Sequence, residues 1–220
     1  MTALALLFLC FLDPAIPGDL NHAEGDVVRL SETIETRNGQ AEILLTPGVF
    51  LRLAKNSTLA LTPTPHLIKG RALIEAAFVS KPVSIGGAVT AVSAGLYLFD
   101  AGRNSISVYQ GKARVGKVLV KAGRELDLAT FTESTFNRKA TDDLYRWSKL
   151  RSSTLAVATR DAAHSIIYGH QPWTGAGWYP NQARQEYVFL PSDGELRSPF
   201  GFWYQSPWVE YAPLRPMFSC

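Results

Sequence analysis

The sequence predicts a mainly β fold, and three observations support that prediction. Apolar runs of three to seven residues recur about every ten residues, Gly, Asn or Pro stands between them, and no helical pattern interrupts them before residue 129. Parallel α/β units would need helical crossovers, so the remaining alternatives are a sandwich, a barrel or a solenoid. The runs are 27–30, 41–45, 49–53, 58–61, 72–78, 83–85, 88–92, 96–99, 105–109, 113–115, 118–121 and 125–128.

The run at 49–53 shows what the β pattern implies for burial. Val49, Leu51 and Leu53 alternate with Phe50 and Arg52. Successive side chains of a strand point to opposite faces, so one face can lie in the core while the other meets solvent or a second layer.

Composition allows one sizeable domain, alone or with an appended module. The 220 residues are 46% hydrophobic, and the formal charge of +3 comes from 22 basic and 19 acidic residues spread without runs. Such a balance indicates neither a nucleic-acid-binding surface nor a polybasic membrane anchor.

The N-terminal segment predicts export. Residues 3–12 form an unbroken apolar run that ends at Asp13-Pro14, the length of a signal-peptide core and about half of a membrane-spanning helix. We therefore expect a signal peptide over 1–16 and a periplasmic, cell-surface or secreted protein without a transmembrane helix. Two alternatives stay open, a lipoprotein anchor on Cys10, which Leu9 disfavours, and a buried N-terminal element. Without the leader Cys220 is the only cysteine, so we expect no disulfide.

Residues 142–163 predict one amphipathic helix, because apolar residues recur there at spacings of three and four. We expect Thr141 to cap it and the following two aspartates to complement the N-terminal dipole. Arg146, Lys149 and Arg151 are expected on a solvated face; contact of that face with an anionic surface is the alternative. The apolar positions are Leu144, Trp147, Leu150, Thr154, Leu155 and Ala158.

From Trp173 onward, aromatic residues are interleaved with Gly and Pro, which favours turns and short strands, at 187–190 and 202–205. Tryptophan and tyrosine rings can stack on sugars or peptides. The same rings could instead form the core of this module or cover an open end of the β domain. The candidate ligand or partner surface comprises Trp178, Tyr179, Tyr187, Trp203, Tyr204 and Trp208.

The sequence indicates no catalytic, cofactor-binding or metal-binding residues. The four histidines are scattered, and no G-x-S-x-G, P-loop or dinucleotide-binding motif occurs. Acidic residues lie among the C-terminal aromatics as in glycosidase clefts, but the separation of two carboxylates cannot be fixed from sequence. These acidic residues are Glu186, Asp193, Glu195 and Glu210.

Four segments together resemble the FecR-type domain, an extracytoplasmic module named after the ferric-citrate signalling regulator. They are T-R-N-G-Q-A-E-I-L-L-T-P-G-V-F-L-R-L-A-K-N-S-T-L-A-L at 36–61, G-R-A-L-I-E at 70–75, V-Y-Q-G-K-A-R-V at 108–115 and K-A-G-R-E-L at 121–126. The whole chain is similar to envelope proteins of acidobacterial type that carry this domain, in which G-L-Y-L-F-D, D-L-Y-R-W-S-K-L-R-S and S-P-F-G-F-W-Y-Q-S-P follow in the same order.

The resemblance implies a β-solenoid or β-roll of short strands over 18–128. A linker with the amphipathic helix then occupies 129–165, and the aromatic, Gly/Pro-rich C-terminal module occupies 166–220. Sigma-factor signalling is not implied, because the anti-sigma segment and the spanning helix of such regulators have no counterpart in this sequence.

The function expected from this resemblance is that of an exported, non-enzymatic binding or scaffolding protein of the cell envelope, without cofactor or metal, that contacts an envelope protein through the FecR-type domain. Binding of peptidoglycan or surface polysaccharide through the aromatic module is the alternative, and a carbohydrate-active enzyme is a more distant one. No nucleic acid is expected as a partner, and the oligomeric state stays open.

Overall fold

The computed structural model describes residues 31–77, 82–85, 88–169, 173–181, 186–192 and 194–208. That part of the chain contains eighteen strands and one helix, so the fold is mainly β, as the sequence predicts. The leader at 1–16 with Cys10, the run at 27–30 and Cys220 lie outside the described residues. The chain divides into two compact units between Lys149 and Leu150.

The first sheet of the N-terminal unit has seven strands in the order β1-β4-β5-β7-β8-β11-β12. Neighbouring strands are antiparallel except β5 and β7, which are parallel. Their bounds are β1 (Thr33–Glu35), β4 (Thr58–Ala60), β5 (His66–Lys69), β7 (Val83–Ile85), β8 (Ala88–Val92), β11 (Lys112–Val115) and β12 (Val118–Lys121).

The second sheet also has seven strands, in the order β14-β13-β10-β9-β6-β3-β2, and all of its pairs are antiparallel. Both sheets are open and have edge strands. The bounds are β2 (Ala41–Thr46), β3 (Val49–Leu53), β6 (Arg71–Ala76), β9 (Gly95–Asp100), β10 (Ser105–Gln110), β13 (Arg124–Asp127) and β14 (Glu133–Thr135).

The chain crosses between the two sheets every one or two strands. After β2 and β3 in the second sheet it forms β4 and β5 in the first, returns for β6, and continues in this way to β14. Because nearly all pairs are antiparallel, the arrangement does not confirm the finer prediction of a β-solenoid.

The inner faces of both sheets enclose one apolar core. In β3, Val49, Leu51 and Leu53 point into it, as the alternation predicts. Burial of each Val, Leu or Ile side chain contributes about 1.5–3 kcal/mol, so this core is the main source of stability. Members from the first sheet include Ile34, Leu59, Leu67, Val83, Val92, Ala113, Val115 and Val120; members from the second include Ile43, Ala72, Ile74, Tyr97, Phe99, Ile106, Val108 and Leu126.

The outer faces of the two sheets differ. On the second sheet most outward residues of β2, β3 and β6 are buried, including Phe50 (1% exposed) and Leu73 (0%), although Arg71 at one end of β6 is partly exposed. On the first sheet Ile68 is 54% exposed and Leu119 36% exposed. Much of the second sheet is thus covered on both faces, whereas the first sheet has an open outer face.

Two crossings between the sheets are joined by one tyrosine. The chain passes from β8 to β9 at Ser93–Gly95 and from β10 to β11 at Gly111. The Tyr97 hydroxyl contacts the Ser93 and Lys112 carbonyl oxygens at 3.0 and 3.1 Å and lies 3.0 Å from the Lys112 N–H. Gly111 has φ +89°, and a Cβ there would lie 2.1 Å from this hydroxyl oxygen. Burial raises the pKa of Tyr97, which keeps the hydroxyl protonated.

The helix α1 spans Asp143–Tyr168, and three predictions about it are wrong. Asp142, not Thr141, is the N-cap, since its Oδ1 accepts a hydrogen bond from the Tyr145 N–H at 2.7 Å. Arg151 is fully buried rather than solvated, whereas Leu150 is 61% exposed. The buried face contains small polar residues that a search for apolar periodicity does not detect, among them Ser148, Ser152 and Thr159.

The first turn of α1 contacts the second sheet within the N-terminal unit. The Arg71 guanidinium forms an ion pair with Asp142. The ring of Tyr109 lies 4.7 Å from that of Phe136 and 4.8 Å from that of Tyr145. Burial, and after it the Asp142 carboxylate, raises the pKa of Tyr109 to about 12.

The C-terminal unit contains two two-stranded sheets in its described part. They consist of β15 (Gly177–Asn181) with β16 (Glu186–Leu190) and β17 (Glu195–Arg197) with β18 (Trp203–Gln205). The second half of α1 packs on β16 through Ala158, Ala162, Ala163, Ile166, Val188 and Leu190. Among the described residues, no helix combines the length and the apolar character that crossing a bilayer requires.

Candidate functional site

Two of the six aromatic residues selected from sequence are packing residues. Tyr204 is 0% exposed and Trp178 7% exposed. Both rings meet Phe189 edge to face, with centroid distances of 6.1 and 6.4 Å. Such pairs are favourable beyond the area that they bury, and rings held in this way are not available to stack on a ligand.

Tyr179 and Tyr187 are half-buried. The Tyr179 hydroxyl donates to the Gly175 carbonyl oxygen at 2.6 Å and accepts from the Thr174 N–H at 3.2 Å. Tyr187 lies opposite Pro180 in the β15–β16 pair. The hydroxyl of Tyr179 therefore closes the turn before β15, which is a structural role.

Trp203 and Trp208 are the exposed members of the set, at 47% and 55%. The Arg197 guanidinium carbon lies 5.6 Å from the Trp203 ring centroid, so one face of this indole carries a cation–π contact. Trp208 meets Trp173 edge to face at 5.7 Å. The surface predicted from six residues thus has two exposed rings, each held by a different neighbour.

The open outer face of the first sheet is a second candidate surface. Ile68 and Leu119 expose apolar area on it, and His66 is half-buried with its Nδ1 3.0 Å from the Ser84 Oγ. A serine nucleophile needs its histidine oriented by a third group. The described residues place no carboxylate within ion-pair distance of His66, so this pair is a polar contact between β5 and β7.

Four cations lie on the hairpin at one end of this face, which we call the cationic hairpin. It comprises β11, the turn Gly116-Lys117 and β12, and its residues 112–121 include no acidic residue. Gly116 has φ +55° at the first turn position, which suits a two-residue type II′ turn. The outward residues of the two strands are Lys112, Arg114, Leu119 and Lys121, and all are exposed, as is Lys117 in the turn.

The register places like charges together. Lys112 lies directly opposite Lys121, and Arg114 opposite Leu119. Directly opposed side chains have Cβ atoms about 4.5–5.5 Å apart, and like charges in that position are destabilising. Among the residues that the structure describes, none of the four cations is in an ion pair, although other surface arginines are: Arg103 with Glu125, Arg124 with Glu133 and Arg146 with Asp143.

A cluster of buried, ion-paired residues lies on the outer face of the second sheet. Arg52 is 0% exposed, and it binds the Glu42 carboxylate at 2.7 Å and the Glu75 carboxylate at 2.5 Å. Its guanidinium carbon also lies 5.3 Å from the Phe50 ring centroid. Glu42 is directly opposite Arg52 in register. These groups link β2, β3 and β6, so their role is structural.

In the part of the chain that the structure covers, no three His, Cys, Asp or Glu residues are grouped closely enough to hold a metal ion. Of the acidic residues considered for a glycosidase cleft, Glu195 accepts a hydrogen bond from Gln205 at 3.1 Å. Asp193 and Glu210 lie outside the described residues.

The cationic hairpin was not selected from sequence, because the charge of the whole chain is low and its basic residues form no run. A usable signal is nevertheless present. The segment K-A-R-V-G-K-V-L-V-K carries four basic residues and no acidic residue in and around a Gly-Lys turn. No family model matches the chain, and none of the curated proteins searched matches it either.

Proposed function

We propose that this chain is an exported, non-enzymatic binding or scaffolding protein of the bacterial cell envelope that docks a partner protein on the first sheet. One observation carries the proposal: much of the outer face of the second sheet is buried, including Phe50 and Leu73, whereas the first sheet has an open outer face. Its exposed outward residues include Ile68, Leu119 and the three cations Lys112, Arg114 and Lys121. An open sheet face that combines apolar and charged side chains is suited to protein contact.

The N-terminal unit is, in this proposal, a FecR-type domain of solenoid or roll type. Support comes from the repeated passage of the chain between two sheets around one core and from the tight glycine crossings at Gly95 and Gly111. The matching segments at 36–61, 70–75, 108–115 and 121–126 include β2, β3, β4, β11 and the crossing at Gly111. Export is supported by the apolar run at 3–12.

Position-specific photo-crosslinking in the source bacterium tests the proposal. A photoreactive amino acid is placed at Ile68 or Leu119 on the open face, and at Phe131 as a control, since Phe131 is 53% exposed in the loop before β14. We expect one discrete protein adduct from the first two positions and none from the third. Equal adducts at all three positions, or none, would contradict the proposal.

Polysaccharide binding through the C-terminal unit is the second candidate function, and the exposure of Trp203 and Trp208 favours it. Loss of an exposed stacking ring costs about 1–2 kcal/mol in binding but little in folding. Co-sedimentation with purified peptidoglycan or exopolysaccharide should therefore fall by about thirtyfold or more in Trp203→Ala/Trp208→Ala if this function holds. Co-sedimentation that is absent, or equal in the variant, would contradict it.

A further inference from the structure

The cationic hairpin combines two features that matter for recognition. Its cations are unneutralised among the described residues, and two of them, Lys112 and Lys121, face each other. β12 is also the last strand of the first sheet. An edge strand has one row of backbone N–H and C=O groups that the sheet does not use.

The charges of the hairpin favour an anionic occupant. Each surface arginine that is paired with a carboxylate is already neutralised, whereas the cross-strand pair Lys112 and Lys121 repels. An acidic group between these two ammonium groups removes the repulsion and gains two attractive contacts. Arg114 lies two residues from Lys112 on the same face, which extends the positive surface along the hairpin.

The open edge favours an extended occupant. A strand added beside β12 would pair its backbone with the edge that no described strand occupies, and alternate side chains would lie over the outer face. On that face β12 presents Lys121 and, two residues earlier, Leu119. An acidic residue is therefore suited to the position opposite Lys121, and an apolar one to the position opposite Leu119.

We propose that the edge of β12 binds an extended acidic segment of a partner protein as an additional strand of the first sheet. This inference rests on the proposed function, because it specifies the partner's chemistry on the same face. A flat anionic membrane surface would use the lysines but not the backbone edge. If the lysines served only to prevent edge-to-edge aggregation, the hairpin would bind neither an anionic surface nor an added strand.

The test measures binding of a synthetic capped peptide, in which Glu alternates with Val, to the full chain by fluorescence anisotropy. Matched peptides carry Lys or Gln in place of Glu, and another carries a central Pro, which removes a backbone donor. We expect binding of the Glu peptide alone, weakened by salt, together with slower amide exchange at Leu119 and Lys121.

Two charge-reversed proteins serve as a matched pair. Lys112→Glu/Lys121→Glu changes the hairpin, and Lys55→Glu/Lys139→Glu makes the same change of net charge at exposed lysines elsewhere. Exposed charge pairs are weak individually, so we expect about tenfold weaker peptide binding for the first variant and no change for the second. Equal losses of peptide binding in both variants would show that net charge, and not the position of the lysines, controls binding, and would overturn the proposal.

The remaining outcomes separate this inference from the proposed function. If the peptides do not bind while the crosslink at Leu119 persists, the acidic-strand inference is wrong and the protein-docking function stands. If the chain binds phosphatidylglycerol vesicles but neither phosphatidylcholine vesicles nor the Glu peptide, the occupant is a membrane and this inference is also overturned. If the peptide binds but no crosslink forms in the envelope, the proposed function fails instead.

Discussion

The two sheets of the N-terminal unit carry charge in opposite ways. On the outer face of the second sheet, Arg52 is buried between two carboxylates. On the outer face of the first sheet, the lysines of the cationic hairpin are exposed, and Lys112 faces Lys121. Buried charge is tolerated only when it is compensated, whereas exposed charge can stay unpaired because water solvates it. The difference separates a sheet face whose charges are buried with the core from one whose charges stay exposed to solvent.

The largest effect is expected from Arg52→Leu, which removes the shared cation from Glu42 and Glu75. Loss of one member of a buried ionic group costs about 3–5 kcal/mol, so urea denaturation should show a free energy of unfolding lower by that amount. Arg103→Leu is the control, because Arg103 is 67% exposed in its pair with Glu125; it should cost at most about 1 kcal/mol. Equal losses in both would contradict the claim that burial makes the Arg52 ion pairs more important for stability than an exposed ion pair.

The contact between the Tyr97 hydroxyl and the two crossings that link the sheets should be the feature next most sensitive to substitution. In Gly111→Ala the new methyl group would lie 2.1 Å from the Tyr97 hydroxyl oxygen and 2.4 Å from the Ala94 carbonyl oxygen, at φ +89°. We expect a loss of about 2–4 kcal/mol. Gly116→Ala at φ +55° meets no atom within 4 Å and should lose only about 1 kcal/mol. Thermal unfolding compares the two variants, and similar losses would contradict the close contact at Tyr97.

The burial of Tyr109 on the outer face of the second sheet should also affect how the free energy of unfolding depends on alkaline pH. The pKa of Tyr109 is raised from 10.0 to about 12, so the folded state retains this proton where the unfolded state releases it. The stability that this group contributes is fully present below about pH 10 and is lost as the pH rises toward about 12. Tyr109→Phe should flatten the fall in unfolding free energy over that range. An unchanged slope in this variant would show that Tyr109 titrates like an exposed tyrosine.

The smallest effect is expected on the open face. Lys121→Glu converts the repulsive pair with Lys112 into an attractive one and should stabilise the protein by about 0.2–1 kcal/mol. Lys112→Glu/Lys121→Glu restores a like-charged pair and should return to the stability of the unmodified chain. The double-mutant cycle isolates the pair energy. A coupling of zero would mean that the two side chains do not face each other.

Much of the β pattern was predictable because local signals define it. The runs at 49–53, 83–85, 88–92 and 118–121 coincide with β3, β7, β8 and β12. In contrast, β1, β5 and β14 were missed: β1 and β14 are largely polar, and β5 combines two apolar residues with His66 and Lys69. The pairing of distant strands into two sheets depends on tertiary contacts that periodicity does not encode.

The site was less predictable for a physical reason. A tryptophan or tyrosine has the same composition signal whether it packs like Tyr204 or is exposed like Trp208, and only burial separates the two. Charged residues give the opposite error, because they are expected at the surface whereas Arg52 and Arg151 are fully buried. The lysines of the cationic hairpin gain their significance from register, which brings Lys112 opposite Lys121 only after the turn at Gly116 is formed.

Hydroxyl-radical footprinting of the free protein tests the central claim most directly, because it measures the exposure of side chains on both sheets at once. Leu119 and Ile68 on the first sheet should be oxidised at rates typical of surface residues, whereas Phe50 and Leu73 on the second sheet should be protected until the protein is unfolded. Oxidation of Phe50 and Leu73 at rates similar to that of Leu119 would contradict the claim that one sheet is covered and the other open.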